Sequence, residues 1–307
     1  MSPTPPPKAA IPAVLVFAGT DPTGGAGMQA DILTLASLGC HPLTVVTAVT
    51  VQDTVGVEDY LPMDAEWIAD QARGVLEDIP VAAIKLGMLG STEAVAAIAE
   101  VVSDYPDIPL ILDPVLASGR GDSLANEELL AALRDLLLPQ TTVVTPNSLE
   151  ARRLAETGWE GEGGDEDESR DDIPGETYAE GDDDNGDDEG ETPMALQECA
   201  RSILEMGCEY VLITGAHEQG PQVTNTLYNT RGVVQKLHWD RLPGSYHGSG
   251  CTLASAVAAY LAQGLDVAEA VKEAQEYTYQ TLKNAFRPGM GQFIPDRLFW
   301  ARDDNED

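Results

Sequence analysis

The chain has 307 residues, 43% of them hydrophobic, and a formal net charge of -35, so no basic surface is expected on which a nucleic-acid backbone could dock. No apolar run approaches the roughly 20 residues that span a bilayer, and no membrane contact is expected. Four cysteines, Cys40, Cys199, Cys208 and Cys251, lack CxxC spacing and argue against a zinc site or a disulfide framework.

Residues 1–12 hold five prolines and one lysine and read as a disordered tail. The apolar run that follows is too short for a signal-peptide core, which predicts a cytoplasmic protein. From there, apolar runs of four to six residues alternate with helical-period segments, the pattern of βαβ units around a mainly parallel sheet. Strands are predicted at 14–18, 43–47, 83–86, 110–113, 142–145 and 210–214. Helices are predicted at 26–38, 65–76, 92–102, 127–137 and 148–155. Several strands run straight into polar or glycine-containing turns, where ligands of open α/β sheets sit.

Residues 157–193 break the pattern. Between Glu156 and Glu191 there are 18 acidic residues and one basic, a composition that buries too little apolar surface to offset its ordering entropy. It reads as a disordered acidic insertion within one domain of residues 13–300, and residues 301–307 read as an acidic tail. The acidic excess extends beyond the insertion, and lysine is scarce, five against twelve arginines. Adaptation to a salty cytoplasm, where screening tolerates self-repulsion, accounts for that balance. After the insertion come a helix at 195–206, a hairpin of 222–228 with 233–239, and helices at 252–261 and 267–284.

The last two helices are preceded by His247-Gly248-Ser249-Gly250-Cys251-Thr252. Glycines let backbone N–H groups approach a ligand closely, and the first turn of a helix leaves those donors unpaired at the positive end of its dipole. Gly248, Ser249 and Gly250 therefore form a candidate anion site of the kind phosphoryl transfer requires. Cys251, at the helix start, is expected to have a lowered thiol pKa and to act as a base toward a substrate hydroxyl. There is no GxxxxGK[ST] element. Gly24-Gly25-Ala26-Gly27 lacks dinucleotide spacing, and its flanking Asp21 and Asp31 are expected to repel a pyrophosphate, which makes it a loop for a neutral substrate.

Six segments taken together carry a resemblance: Ala18 through Asp31 with its Gly19-Thr20-Asp21 start, Thr47 through Thr54, Lys85-Leu86-Gly87-Met88-Leu89, Asp113-Pro114-Val115, Thr145-Pro146-Asn147-Ser148-Leu149-Glu150-Ala151, and the glycine turn through Ala256. They resemble, in order, the hydroxymethylpyrimidine/phosphomethylpyrimidine kinases of thiamine biosynthesis. The resemblance implies a ribokinase-like three-layer α/β/α sandwich, ATP and Mg²⁺ as cofactors, a homodimer, and two successive phosphorylations of 4-amino-5-hydroxymethyl-2-methylpyrimidine. It assigns Gln52, Gly19, Asp21, Ala26, Met88 and Val115 to the pyrimidine, with the Gln52 amide matching a ring edge of mixed donors and acceptors. It assigns Asn147, Thr214 and Gly215 to ATP, and Glu150 and Asp113 to the metal. As bare sequence, Asn147 and Glu150 read as an N-cap and its capping-box partner, a use compatible with the first.

Two departures stand out. Family members often carry a lysine after the strand that ends here in Thr214-Gly215-Ala216-His217, and a Lys-Ser where this chain has Gly119-Arg120. Arg120 is expected to reach over the phosphates and restore the missing charge. A pyridoxal-type vitamer kinase of the same fold is the alternative, since Gln52 and an apolar sandwich suit any polar aromatic ring.

Overall fold

The computed structural model describes residues 11–117, 124–156 and 194–302. Residues 1–10 and 303–307 of the predicted tails, the acidic insertion and Arg120 lie outside them, while Ala301 of the second tail lies in a 3₁₀ turn, Phe299–Ala301. The described residues form one nine-stranded sheet in the order β3-β2-β1-β4-β5-β6-β7-β8-β9. β1 (Ala13–Gly19) is buried along its whole length, as its unbroken apolar run requires of a strand covered on both faces. It pairs in parallel with β2 (His41–Gln52) on one side and β4 (Val81–Leu86) on the other. The parallel run continues through β5 (Leu110–Leu112), β6 (Val143–Val144) and β7 (Tyr210–Ile213).

Antiparallel strands close both ends: β3 (Val57–Pro62) on β2, and β8 (Gln222–Asn229) with β9 (Gly232–Asp240) on β7. β3 escapes prediction because Val57-Glu58-Asp59-Tyr60-Leu61-Pro62 has no apolar run. It is an edge strand, where charge and proline are tolerated.

Period-two alternation divides the strands between two cores. Leu15, Phe17, Ile84 and Leu86 face one layer, with α2 (Ala65–Asp78), α3 (Thr92–Ser103), α4 (Glu127–Ala132), α5 (Ser148–Ala155) and α6 (Leu196–Glu205). Val14, Val16, Ala18 and Ala83 face the other, with α1 (Gly27–Ser37), α7 (Ser249–Ala262) and α8 (Val267–Lys283). The three-layer α/β/α sandwich is therefore as expected. The predicted helix at 127–137 is revised: α4 stops at Ala132, gives way to a π-helical turn at Leu133–Leu137 and then to a 3₁₀ turn containing Pro139.

Candidate active site

From β1 the chain first adds β2 on one side and later β4 on the other, which makes the carboxyl ends of β1 and β4 the switch point where a ligand crevice opens. A cavity of about 790 Å³ lies there. Gly19 ends β1, Met88 follows β4 and Val115 follows β5, and all three line it together with Ala26 and Gln52. Gln52 is turned by its own amide nitrogen, which donates to the Thr50 hydroxyl at 2.7 Å and the Thr20 carbonyl at 3.4 Å.

The glycine turn forms the floor. Gly248 caps α7 with φ +86, a conformation that suits glycine, and a Cβ there would lie 1.9 Å from the Gly25 carbonyl oxygen. The two glycine loops are thus in backbone contact. The first backbone bond of the helix is Thr252 N–H to the Gly248 carbonyl at 3.0 Å, so the N–H groups of Ser249, Gly250 and Cys251 precede the helical ladder. Those residues and Gly248 all line the cavity.

Asp113, Asn147, Glu150 and Thr214 line the same cavity. Asn147 caps α5, its side chain accepting from Leu149 and Glu150 N–H, while Glu150 accepts from Asn147 N–H at 2.9 Å. The capping box is real, and it holds Glu150 beside Asp113. Burial and the charge of Asp113 push the Glu150 carboxyl up to about 8. Asp113 itself is pushed up to about 6 by burial and by Asp31, against the opposing Lys85 charge and a hydrogen bond from Cys251. Its Oδ2 is buried with no hydrogen-bond partner.

Four expectations are corrected. Burial pushes the Cys251 thiol up to about 12, with Asp113 and Asp31 adding to that push and outweighing the pull of Lys85, so the helix terminus does not make a resting thiolate. Asp21 is fully buried and is absent from the cavity wall. Its carboxylate is engaged by Thr23 N–H at 2.8 Å, Ala26 N–H at 2.6 Å and His247 Nε2 at 2.9 Å. Burial pushes the Asp21 carboxyl up, but these bonds outweigh it and hold it below its usual range. Asp31 does not stand free to repel an anion: it is buried, with Lys85 Nζ at 2.9 Å and the Ser255 hydroxyl donating at 2.7 Å. Gly215 lies off the cavity, where its N–H donates to Asn225 Oδ1 at 3.1 Å and a Cβ would meet the Thr224 carbonyl oxygen at 2.4 Å.

Several wall residues escaped sequence reasoning. Lys85 reaches the cavity from near the carboxyl end of β4, and its interruption of an apolar strand was a usable signal, since a buried cation requires a partner. Arg241 lines the wall and donates to the carbonyls of Ala216 at 2.7 Å, Glu218 at 2.6 Å and Gly220 at 2.8 Å. At the β8–β9 end, Trp239 and Tyr279 rings lie 4.9 Å apart, and Trp239 Nε1 donates to Gln275 Oε1 at 3.1 Å. Nothing local in the sequence joins α8 to this hairpin.

The family model for phosphomethylpyrimidine kinase matches residues 21–171 and 186–296. The chain belongs to that family. It is 38% identical over 294 residues to the hydroxymethylpyrimidine/phosphomethylpyrimidine kinase of Streptomyces coelicolor, covering 94% of this chain and 95% of that one. Among solved structures it is similar to phosphomethylpyrimidine kinase from Clostridium difficile, with TM-score 0.66 and 29% identity over 89% of this chain and all of that one. It is also similar to pyridoxal kinase from Staphylococcus aureus in complex with ADP, with TM-score 0.76 and 28% identity over 95% and 96% of the two chains. The gap in the family match at 172–185 falls inside the acid-rich segment.

Proposed function

We propose that this chain transfers the γ-phosphoryl group of ATP to the hydroxymethyl oxygen of 4-amino-5-hydroxymethyl-2-methylpyrimidine, and then phosphorylates the monophosphate to the pyrophosphate, within thiamine biosynthesis. The observation that carries the reading is one continuous cavity in a chain of the phosphomethylpyrimidine kinase family, whose lining joins apolar Met88, Val115 and Ala26 to the glycine turn at Gly248 to Cys251. With its amide N–H groups directed at Thr50 and Thr20, Gln52 presents its carbonyl oxygen to the exocyclic amine of the ring.

In the transfer, the substrate oxygen forms a bond to the γ-phosphorus as the bridging oxygen bond to ADP breaks. The N–H groups of Ser249, Gly250 and Cys251 face the charge on the transferring group. Cys251, a neutral thiol at rest, stands hydrogen-bonded to Asp113, and this pair receives the hydroxyl proton. The nucleotide base is assigned to the Trp239–Tyr279 end, where an aromatic wall suits a purine.

Asp113 and Glu150 fit a magnesium ion. Both carboxyls are pushed up, Glu150 by burial and by Asp113, Asp113 by burial and by Asp31, one Asp113 oxygen lacks any partner, and no group of three or more such ligands exists among the described residues. Magnesium is commonly held by one or two carboxylates, with substrate phosphates and water completing its shell. When bound, the ion neutralises charge on the phosphates.

A homodimer is inferred through the β2–β3 edge, whose paired Val49 and Leu61 stand exposed beside Val51. A cytoplasmic setting, where ATP is at hand, is part of the same proposal. A product assay with the pyrimidine alcohol, ATP and Mg²⁺, resolving mono- from pyrophosphate, tests the reading. Absence of both products overturns it. Because pyridoxal kinases are among the structural relatives, pyridoxal is run in parallel, and a higher kcat/KM for pyridoxal makes that vitamer the substrate.

A further inference from the structure

Arg297 is the second buried cation at the transfer site, and its surroundings differ from those of Lys85. Lys85 neutralises a carboxylate, Asp31, at 2.9 Å. Arg297 is 3% exposed, yet among the described residues no carboxylate pairs with it. Its guanidinium contacts are neutral: Nη1 donates to the Gly24 carbonyl at 3.3 Å, Nη2 to the carbonyls of Gly25 at 2.5 Å and Gly248 at 3.4 Å, and Nε to the Thr252 hydroxyl at 3.0 Å. Burying a guanidinium without a counter-ion is costly, and burial lowers its pKa, against the pull of Cys251 and Asp31. A charge kept there against that cost is one a negative ligand can use.

The contacts also fix direction. In a trans peptide the C=O and the following N–H point opposite ways. Holding the Gly248 carbonyl on the Arg297 side turns the Ser249 N–H away, toward the cavity. Thr252 reinforces this, because its own hydroxyl donates to the same Gly248 carbonyl at 2.7 Å. The same guanidinium holds Gly24 and Gly25, which belong to the substrate loop. One side chain therefore joins the loop that seats the ring to the turn that seats the phosphoryl group, as the Asp21–His247 bond also does. The C-terminal segment carrying Arg297 is itself anchored: Tyr277 donates its hydroxyl to the Arg297 carbonyl at 2.9 Å, and Asp296 N–H donates to the Thr281 carbonyl at 3.0 Å.

We propose that Arg297 is a positioning residue for phosphoryl transfer, clamping the two glycine loops in register and placing a fixed positive charge behind the anion-binding turn. The inference rests on the phosphotransferase reading above. Geometry lost at this joint moves reacting atoms rather than removing binding contacts, so kcat is the parameter that falls.

The test compares the full-length wild type with Arg297→Met, Arg297→Lys, Arg297→Ala and Thr252→Val in the pyrimidine and ATP assay, with kcat corrected for the folded fraction from thermal melts. For Arg297→Met, kcat is expected to fall about 100-fold while both KM values stay within about threefold. Arg297→Lys, which keeps the charge but not the fork, is expected to retain an intermediate rate, and millimolar guanidinium to raise the kcat of Arg297→Ala several-fold. Thr252→Val, which removes only the hydroxyl, is expected to lose about tenfold in kcat and serves if the arginine variants do not fold. Folded Arg297→Met or Thr252→Val enzyme with unchanged kcat overturns the inference, as does a loss of rate fully explained by unfolding. A wild type without transfer to either vitamer overturns the underlying reading instead.

Discussion

The two ends of the cavity are built on different terms. At the transfer end, backbone meets backbone: the Gly248 and Gly25 loops touch, Gly27 adopts φ +56 where a Cβ would lie 2.5 Å from the Gly19 carbonyl, and buried Asp21, Asp31, Lys85 and Arg297 tie the loops to the sheet and α7. At the end proposed for the nucleotide, side chains of an antiparallel hairpin and α8 make the wall, through Trp239, Tyr279, Gln275 and Asn225. Chemistry demands sub-ångström placement where bonds change, whereas a purine base needs only a surface. Substitutions at the first end should therefore cost kcat, and those at the second KM.

The largest effect is expected from Gly248→Ala. A Cβ 1.9 Å from a backbone oxygen cannot be absorbed by a side-chain rotation, and φ +86 is strained for alanine. The loops must part, and kcat should fall about 100- to 1000-fold, comparable to losing an oxyanion-hole donor. Steady-state kinetics on the folded fraction checks this. A KM effect without a kcat effect would mean that the turn only binds.

Next comes the carboxylate pair. Glu150, pushed up to about 8, and Asp113, pushed up to about 6, hold protons in the folded enzyme that the unfolded chain has already released. The unfolded state then binds fewer protons between about pH 4.5 and 8, so the stability contributed by Glu150 falls as pH rises through that window. Metal binding runs the other way, because only the ionised forms hold a cation. Calorimetric Mg²⁺ titrations with a non-hydrolysable ATP analogue should show affinity rising from pH 6 to pH 8. Glu150→Gln keeps the capping box, since glutamine serves at that position. It should raise the melting temperature of the free protein at pH 8 and flatten the pH dependence of Mg²⁺ binding above pH 7. An unchanged melting temperature would show that Glu150 is not held protonated.

At the other end, Trp239→Ala should raise the ATP KM about three- to tenfold with kcat nearly unchanged, the size of one aromatic contact. A large kcat loss would break the division of labour between the two ends.

This division also explains what the sequence disclosed. The strands and helices were legible because apolar runs and periods are local, and α5 was read to the residue at Ser148–Ala155. The glycine turn and the Asn147–Glu150 pair were legible for the same reason, each being a short pattern with its own physical signature. The buried charges were not. Asp31, Lys85 and Ser255 sit on α1, β4 and α7, and only the fold brings them together. Cys251 shows the limit most clearly: a helix terminus lowers a thiol's pKa, but desolvation and two neighbouring carboxylates, invisible along the chain, outweigh it. Arg297 gave no local sign at all, since its acceptors lie about 50 and 270 positions away.

The smallest effect is expected from the acid-rich segment. It carries 18 acidic residues and one basic, close to half of the net charge of -35, and it is flanked by α5, ending at Ala155, and α6, starting at Leu196. Both helices contribute to the core opposite α7. Charges exposed to solvent are screened over about 8 Å at physiological ionic strength, while the site's own cations Lys85 and Arg297 are buried. Deleting residues 158–191 should therefore leave kcat and both KM values within about twofold at 0.15 M salt, with a modest fall in the ATP KM at low salt as long-range repulsion of the polyphosphate is relieved. A loss of activity at 0.15 M salt would make the segment part of the site and overturn the two-ended description.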